Sequence, residues 1–159
     1  MAGKELPSLA KNRKPKTESR KMVSMPQPEM NNTRLEQIIQ SIGEDVQGEL
    51  GYWQFLLGDI RLLCVTDEAH DRMRVMAPIA PIEEVPASTL LKCMSANFDR
   101  ALDARYCVSN DMLWGAFIHP LGSLTTALFH SACHQVAEVS RTFGTTFSSG
   151  GLSFNSDIV

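Results

Sequence analysis

Three short apolar runs between residues 52 and 84 constrain the fold of this sequence more than any other feature. They span residues 52–57, 60–65 and 73–79, and each is rich in branched or aromatic side chains. Turn-type residues separate them, Gly58-Asp59 in the first gap and Thr66-Asp67-Glu68 in the second. The pattern predicts a meander of three strands, and Pro78 and Pro81 favour an edge position for the third strand.

Helical periodicity lies on both sides of this meander. Before it, Thr33 and Glu36 form a T-x-x-E capping box that predicts a helix start, and Gly48 is the expected stop. After it, Ser88 is the predicted cap of a second helix that ends near Asp103. The apolar positions of the two helices are Leu35, Ile38, Ile39, Ile42 and Val46, then Leu90, Leu91, Met94, Phe98, Ala101 and Leu102.

The remaining pattern predicts a hairpin and a third helix. Strands at 105–108 and 113–118 are joined by turn residues 109–111, and a helix follows from Gly122-Ser123 to Gly144. The order is α-βββ-α-ββ-α. It predicts an α+β fold in which an antiparallel five-stranded sheet carries its helices on one face.

The chain has a basic start and an acidic body. Its first 21 residues contain seven Lys and Arg against two Glu, whereas the remainder contains eight basic and sixteen acidic residues. Because residues 1–30 are polar and carry no apolar period, we expect a disordered basic tail, followed by one domain at 31–144 and a flexible C-terminal tail at 145–159.

The basic charge of the tail indicates an alternative function, the binding of nucleic acid. A nucleic-acid-associated regulator would use its basic residues, although no aromatic side chains interleave with them to stack on bases. These residues are Lys11, Arg13, Lys14, Lys16, Arg20 and Lys21. Nucleic acid is therefore a less favoured partner than protein.

Composition excludes several other classes. No run of about 18 apolar residues and no secretory signal pattern is present, so we expect a cytoplasmic protein without a membrane partner. The four cysteines, Cys64, Cys93, Cys107 and Cys133, form no CxxC pair and are predicted to be reduced core thiols.

Catalytic and metal-binding signals are weak. His130, Cys133 and His134 lie within one helical turn and could share a metal ion, but no second ligand pair accompanies them. A nucleophilic pair of Cys107 or Cys133 with His119 would need a depressed thiol pKa. The common hydrolase, nucleotide and metalloprotease motifs are absent. We therefore predict no enzyme activity, no catalytic residues, no cofactor and no bound metal.

Several segments together resemble a known group of proteins. They are YWQFLLGDIRLLCVTD, RMRVMAPI and ARYCVSNDMLWGAFIHPLGSLT, followed by the long final helix. In element order and in the hairpin from Ala104 to Phe117, residues 33–144 resemble the bacterial YbjN family and the wider type III secretion chaperone-like proteins. The resemblance implies a type III secretion chaperone-like domain at 31–144, a homodimer around the second helix, and grooves that accept an extended segment of a protein partner.

These observations predict a chaperone-like or regulatory adaptor protein that binds a protein partner of unknown identity and acts as a homodimer. The dimer helix is expected to use its large apolar positions. Large aromatic residues on strands either fill the core, which is the favoured interpretation, or form an adhesive surface. The predicted partner or dimer residues are Leu90, Leu91, Met94, Phe98, Trp53 and Trp114.

Overall fold

The computed structural model describes Gly3 and residues 29–150, which form one six-stranded antiparallel sheet and three α-helices. The elements are α1 (Asn32–Ile42), β1 (Glu44–Glu49), β2 (Tyr52–Leu57), β3 (Ile60–Asp67), β4 (Arg72–Pro81), α2 (Ala87–Asp99), β5 (Arg105–Ser109), β6 (Met112–His119) and α3 (Thr126–Arg141). The strand order across the sheet is β1-β2-β3-β4-β6-β5. The predicted tail residues 1–28, apart from Gly3, lie outside this description.

The α+β class and all five predicted strands are confirmed, but the sheet has a sixth strand. The first helix was expected to continue to Gly48 and instead ends at Ile42, where the Gly43 amide donates to the Ile39 carbonyl oxygen at 2.8 Å. The chain then turns into β1, which pairs with β2. The count of five strands was therefore wrong, because β1 replaces the end of the expected helix.

Two predicted helix caps also move. Asn31, rather than Thr33, caps α1, because its Oδ1 accepts a hydrogen bond from the Arg34 amide at 3.0 Å. Thr125 caps α3 in the same way through the Leu128 amide at 3.1 Å, so this helix begins after the expected Gly122-Ser123. In both places a short polar side chain satisfies an amide that the first turn leaves without a partner.

The second helix is shorter than expected at its C-terminal end. It begins after Pro86 rather than at a Ser88 cap and ends at Asp99 instead of Asp103. The amides of Arg100 and Ala101 both donate to the Ala96 carbonyl oxygen, at 3.0 and 2.7 Å. Two donors on one carbonyl are typical of a helix terminus, so Ala101 and Leu102 belong to the following loop.

The strand that contains Pro78 is internal and not an edge strand. β4 lies between β3 and β6, and its register with β6 shifts between Pro78 and Ala80. An irregularity of this kind accommodates a residue that cannot donate to the ladder. The prediction of an edge position from the prolines was therefore wrong.

One face of the sheet forms the core with the helices. Alternate strand residues such as Trp53, Phe55, Leu62 and Cys64 are fully buried there. Helix α3 packs across the strands, and it contributes Phe129, Ala132, Cys133, Val136 and Val139 to the same core. The opposite face carries no helix of the described chain and remains open.

Part of the expected C-terminal tail packs against the domain. Phe147 is only 6% exposed, and its ring centroid lies 6.1 Å from that of Tyr106. The Ser149 amide also donates to the Arg100 carbonyl oxygen at 3.3 Å. Phe147 and Ser149 therefore contact the domain, and residues 151–159 lie outside the described part.

Candidate protein-binding surfaces

One side of α2 presents three large apolar side chains to solvent. Leu91, Met94 and Phe98 are 69%, 63% and 78% exposed. Their spacing of three and four residues places them on the same side of the helix. The opposite side is buried through the small residues Cys93 and Ala96. Leu91, Met94 and Phe98 together form the α2 surface.

Asn97 fixes α2 against the outer edge of β5. Its Nδ2 donates to the Tyr106 carbonyl oxygen at 3.0 Å, and its Oδ1 accepts from the Tyr106 amide at 2.7 Å. These two hydrogen bonds occupy backbone groups that an added strand would need. Strand addition is therefore blocked at this point of the β5 edge. Val108, two residues further along β5, is 54% exposed.

A second apolar site lies on the open face of the sheet. A groove of about 350 Å³ runs over strands β4, β6 and β5. The residues that form this open-face groove include Arg74, Met76, Cys107, Trp114, Ala116 and Ile118. Trp114 is half-buried, and its Nε1 donates to the Ser109 carbonyl oxygen at 3.0 Å, which fixes the indole against the β5–β6 turn.

Arg74 supplies positive charge to this groove. It lies between Val65 and Ile118 in the strand register and is exposed. Among the residues that the structure describes, none makes a hydrogen bond or an ion pair with its guanidinium group. Burial raises the pKa of the neighbouring Cys107 thiol above its usual value, and the Arg74 charge partly opposes that rise.

The six residues predicted to bind a partner or form a dimer fall into three environments. Leu91, Met94 and Phe98 are exposed, and Leu90 on the same helix is half-buried against the core. Trp114 lies in the open-face groove, away from the α2 surface. Trp53 is 1% exposed and belongs to the core, so the favoured core interpretation is confirmed for it and it cannot touch a partner.

The groove itself was not predicted from the sequence. Its residues come from three strands and are brought together only by the register of β4, β6 and β5. One local signal was present, since Arg72 and Arg74 alternate with the buried Met73 and Val75 and so indicate a charged outer face on β4. The sequence did not show which apolar residues would lie beside these arginines.

The described structure gives no support to the alternatives of a metal site at His130, Cys133 and His134 or of a nucleophilic cysteine paired with His119. In the described chain, no group of three or more His, Cys, Asp or Glu side chains could hold a metal ion. Cys133 is fully buried, whereas His134 is exposed. Burial raises the pKa of Cys133, and partial desolvation of the thiol raises that of Cys107; both shifts are opposite to the depressed pKa that a nucleophilic thiol would need. Cys107 is also exposed, so the prediction of four core thiols was wrong for it.

Another cavity, of about 750 Å³, lies beside α3 and residues 146–150. Its rim contains an ion-pair network in which Arg141 contacts Asp59 and Glu138, each at 2.7 Å. All three side chains are substantially exposed, so water screens the charges and the ion pairs stabilise the fold only slightly. We therefore assign no binding function to this cavity.

Comparisons with solved structures agree with this architecture. One chain of the HopA1–SchA chaperone–effector complex matches with a TM-score of 0.55 and 13% identity, covering 70% of this chain and 90% of that one. A chain of the ExsC–ExsE complex gives a TM-score of 0.53 and 13% identity over 72% and 97% of the two chains. The Yersinia pestis type III secretion chaperone SycH, in complex with a fragment of YscM2, gives 0.53 and 12% over 71% and 98%.

The chain therefore has the fold of type III secretion chaperones. No family model matches it, and no curated protein sequence is significantly similar. Membership of the YbjN family accordingly stays a prediction. The predicted nucleic-acid residues between Lys11 and Lys21 lie outside the described part, and no helix within that part is long and apolar enough to cross a membrane.

Proposed function

We propose that this protein is a non-enzymatic protein-binding module, chaperone-like or a regulatory adaptor, that acts as a homodimer in the cytoplasm. The α2 surface is the observation that carries the proposal. Three large apolar side chains lie next to one another on a single helix and are each more than 60% exposed. Contiguous apolar exposure of this kind marks interaction sites in soluble proteins.

The fold supports a protein partner. Two of the structural neighbours come from complexes whose names identify a chaperone with a bound protein, namely HopA1–SchA and SycH with a fragment of YscM2. Identity of 12–13% transfers the fold and not the partner. The α2 surface and the open-face groove supply two separate apolar sites on that fold, which suits one dimer contact and one partner contact.

A second copy of this chain is the best occupant of the α2 surface. Fully burying one large apolar side chain contributes about 1.5–3 kcal/mol, whereas association costs at least about 4 kcal/mol and often more than twice that. The three α2 side chains alone would leave little net binding energy, so the surface that covers them must itself be apolar. A two-fold interface buries Leu91, Met94 and Phe98 from both copies, which doubles the favourable contribution.

Light scattering across a concentration series tests the dimer. The full chain should have the mass of two copies at tens of micromolar, and Leu91→Asp or Phe98→Asp should reduce it to one copy, because a carboxylate would be buried without a partner. Leu50→Asp is the matched control, since Leu50 is 57% exposed but lies at the opposite edge of the sheet. A monomeric wild-type protein at these concentrations would contradict the homodimer.

Affinity capture separates the proposal from the nucleic-acid alternative. The full chain and a chain beginning at Asn31 would each be used as bait in a cell lysate. A discrete protein retained by both would support the domain as the binding part. Retention of nucleic acid alone, and only by the full chain, would instead support the regulator that uses the basic tail.

A further inference from the structure

The open-face groove combines an apolar floor with one positive charge. Met76, Trp114, Ala116 and Ile118 form the floor, and Ile118 is 59% exposed. Among the described residues that line the groove, Arg74 alone carries a charge. A volume of about 350 Å³ lies at the lower end of the range of ligand-binding pockets.

The Arg74 guanidinium group makes no hydrogen bond or ion pair with a described residue, although the side chain also lines a cleft that contains Asp67 and Glu68. Arg61, on the same face, forms an ion pair with Asp45 at 2.7 Å, and Arg72 donates to the Asp71 carbonyl oxygen at 2.8 Å. Arg74 makes neither type of contact with a described residue. A guanidinium group in this position can form a bidentate, charge-assisted pair with a carboxylate from outside the domain.

Two other occupants are disfavoured by charge and by geometry. The first 21 residues of this chain have a net positive charge, which Arg74 would repel. A strand added at the middle of the β5 edge would compete with the Asn97 side chain for the backbone of Tyr106. The groove is therefore better suited to a segment that lies across the sheet face than to one that extends the sheet.

We infer that the open-face groove binds a segment of the partner protein in which an acidic residue adjoins a large apolar residue. The carboxylate pairs with Arg74, and the apolar side chain packs on Met76 and Ile118 beside the Trp114 ring. This inference rests on the proposed protein-binding function and adds the chemistry of the bound segment. It also separates the partner site from the dimer contact on α2.

Selection from a random peptide library tests this chemistry. A displayed library of 12-residue peptides is selected on the immobilised full chain, and enriched peptides are synthesised for fluorescence anisotropy. We expect enriched peptides to contain Asp or Glu next to Leu, Ile, Met or an aromatic residue. Replacing that acid by Gln should weaken binding severalfold, and Arg74→Glu should weaken it by about tenfold or more, because attraction becomes repulsion.

Arg72→Glu is the matched control. It makes the same charge change two residues away on the same face of β4, outside the open-face groove. Peptide affinity should change less than threefold in this variant. Equal losses of peptide affinity for Arg72→Glu and Arg74→Glu would show that only the overall charge of the protein matters, and would overturn the inference. Enriched peptides without an acidic residue would also overturn it, as would the absence of any enriched peptide.

The outcomes also distinguish this inference from the proposed function. Peptides that bind the wild-type protein and the Arg74→Glu variant equally, but lose affinity for Phe98→Asp, would overturn the groove assignment and leave a protein-binding dimer. Acid-dependent binding that requires Arg74 in a protein that light scattering shows to be monomeric would support the groove and contradict the dimer. Melting temperatures of the Arg74→Glu and wild-type proteins should agree, since Arg74 is exposed.

Discussion

The Tyr106 hydroxyl donates a hydrogen bond to the backbone carbonyl oxygen of Val139, with 2.8 Å between the two oxygen atoms. Both residues are buried, and the Tyr106 ring also lies 6.3 Å from Phe143 and 6.1 Å from Phe147, centroid to centroid. Burial raises the pKa of the phenol well above its usual range. The neutral hydroxyl group therefore joins the edge strand β5 to the end of α3, and the ring packs against the segment that follows α3.

Replacement of Tyr106 by Phe should lower the free energy of unfolding by about 1–2 kcal/mol, because the buried carbonyl group of Val139 loses a donor while the ring remains. Urea unfolding followed by circular dichroism measures the change. Tyr52→Phe makes the same substitution at a residue that is 40% exposed and should cost less than about 0.5 kcal/mol. Similar losses in the two variants would contradict the role given to the Tyr106 hydroxyl.

Gln135 has a comparable function at the loop before β5. Its Oε1 accepts hydrogen bonds from the amides of Asp103 and Ala104 at 2.8 and 3.1 Å, and the side chain is buried. Gln135→Leu should lower the free energy of unfolding by about 2–4 kcal/mol, since two backbone donors lose their acceptor. The exposed Gln40 on α1 provides the control Gln40→Leu. A loss no larger than that of the control would show that water replaces the lost acceptor.

The sequence predicted the five strands β2 to β6 because the alternation of buried and less buried side chains is a local and strong pattern. In β2, for example, Trp53 and Phe55 face the core while Gln54 faces the open side. The strand β1 gave no such signal, since none of its residues is buried and Glu44, Asp45 and Glu49 are exposed. It is held by its pairing with β2, which depends on contacts that no local pattern reveals.

The candidate site could be predicted only in part for a similar reason. Helical spacing placed Leu91, Met94 and Phe98 on one side of the second helix. It did not show that this side faces solvent and that the small residues Cys93 and Ala96 face the core. Small side chains let α2 approach the domain closely, so the large ones remain outside. The open-face groove required the register of three strands, which the sequence does not encode in any short segment.

The ion pair between Asp59 and Arg141 predicts a pH dependence of stability. Hydrogen bonds from the Arg141 guanidinium hold the pKa of the Asp59 carboxyl below its ordinary value of 3.8. Because the folded-state pKa is lowered, the stabilisation is present above about pH 4 and is lost as the pH falls through the folded-state value. Asp59→Asn should therefore destabilise the protein slightly at pH 6–7 and leave stability unchanged near pH 2.

Urea unfolding of wild-type and Asp59→Asn proteins between pH 2 and 7 measures this difference. Glu68→Gln is the control, since Glu68 is an exposed carboxylate that forms no ion pair within the described chain. Its stability curve should run parallel to that of the wild type. A difference for Asp59→Asn that persisted unchanged to pH 2 would show that the effect is not due to ionisation of Asp59.

Thiol labelling tests the placement of Arg74 beside Cys107. Three of the four cysteines are buried and Cys107 is exposed, so one thiol should react with a disulfide reagent in the native protein and Cys107→Ser should abolish that reaction. The thiolate is the reacting form. Because the Arg74 charge opposes the rise in the Cys107 pKa, Arg74→Glu should raise that pKa further and slow labelling severalfold at pH 8. Arg72→Glu should slow it less, and equal slowing in both variants would contradict an electrostatic effect of Arg74 on the Cys107 thiol.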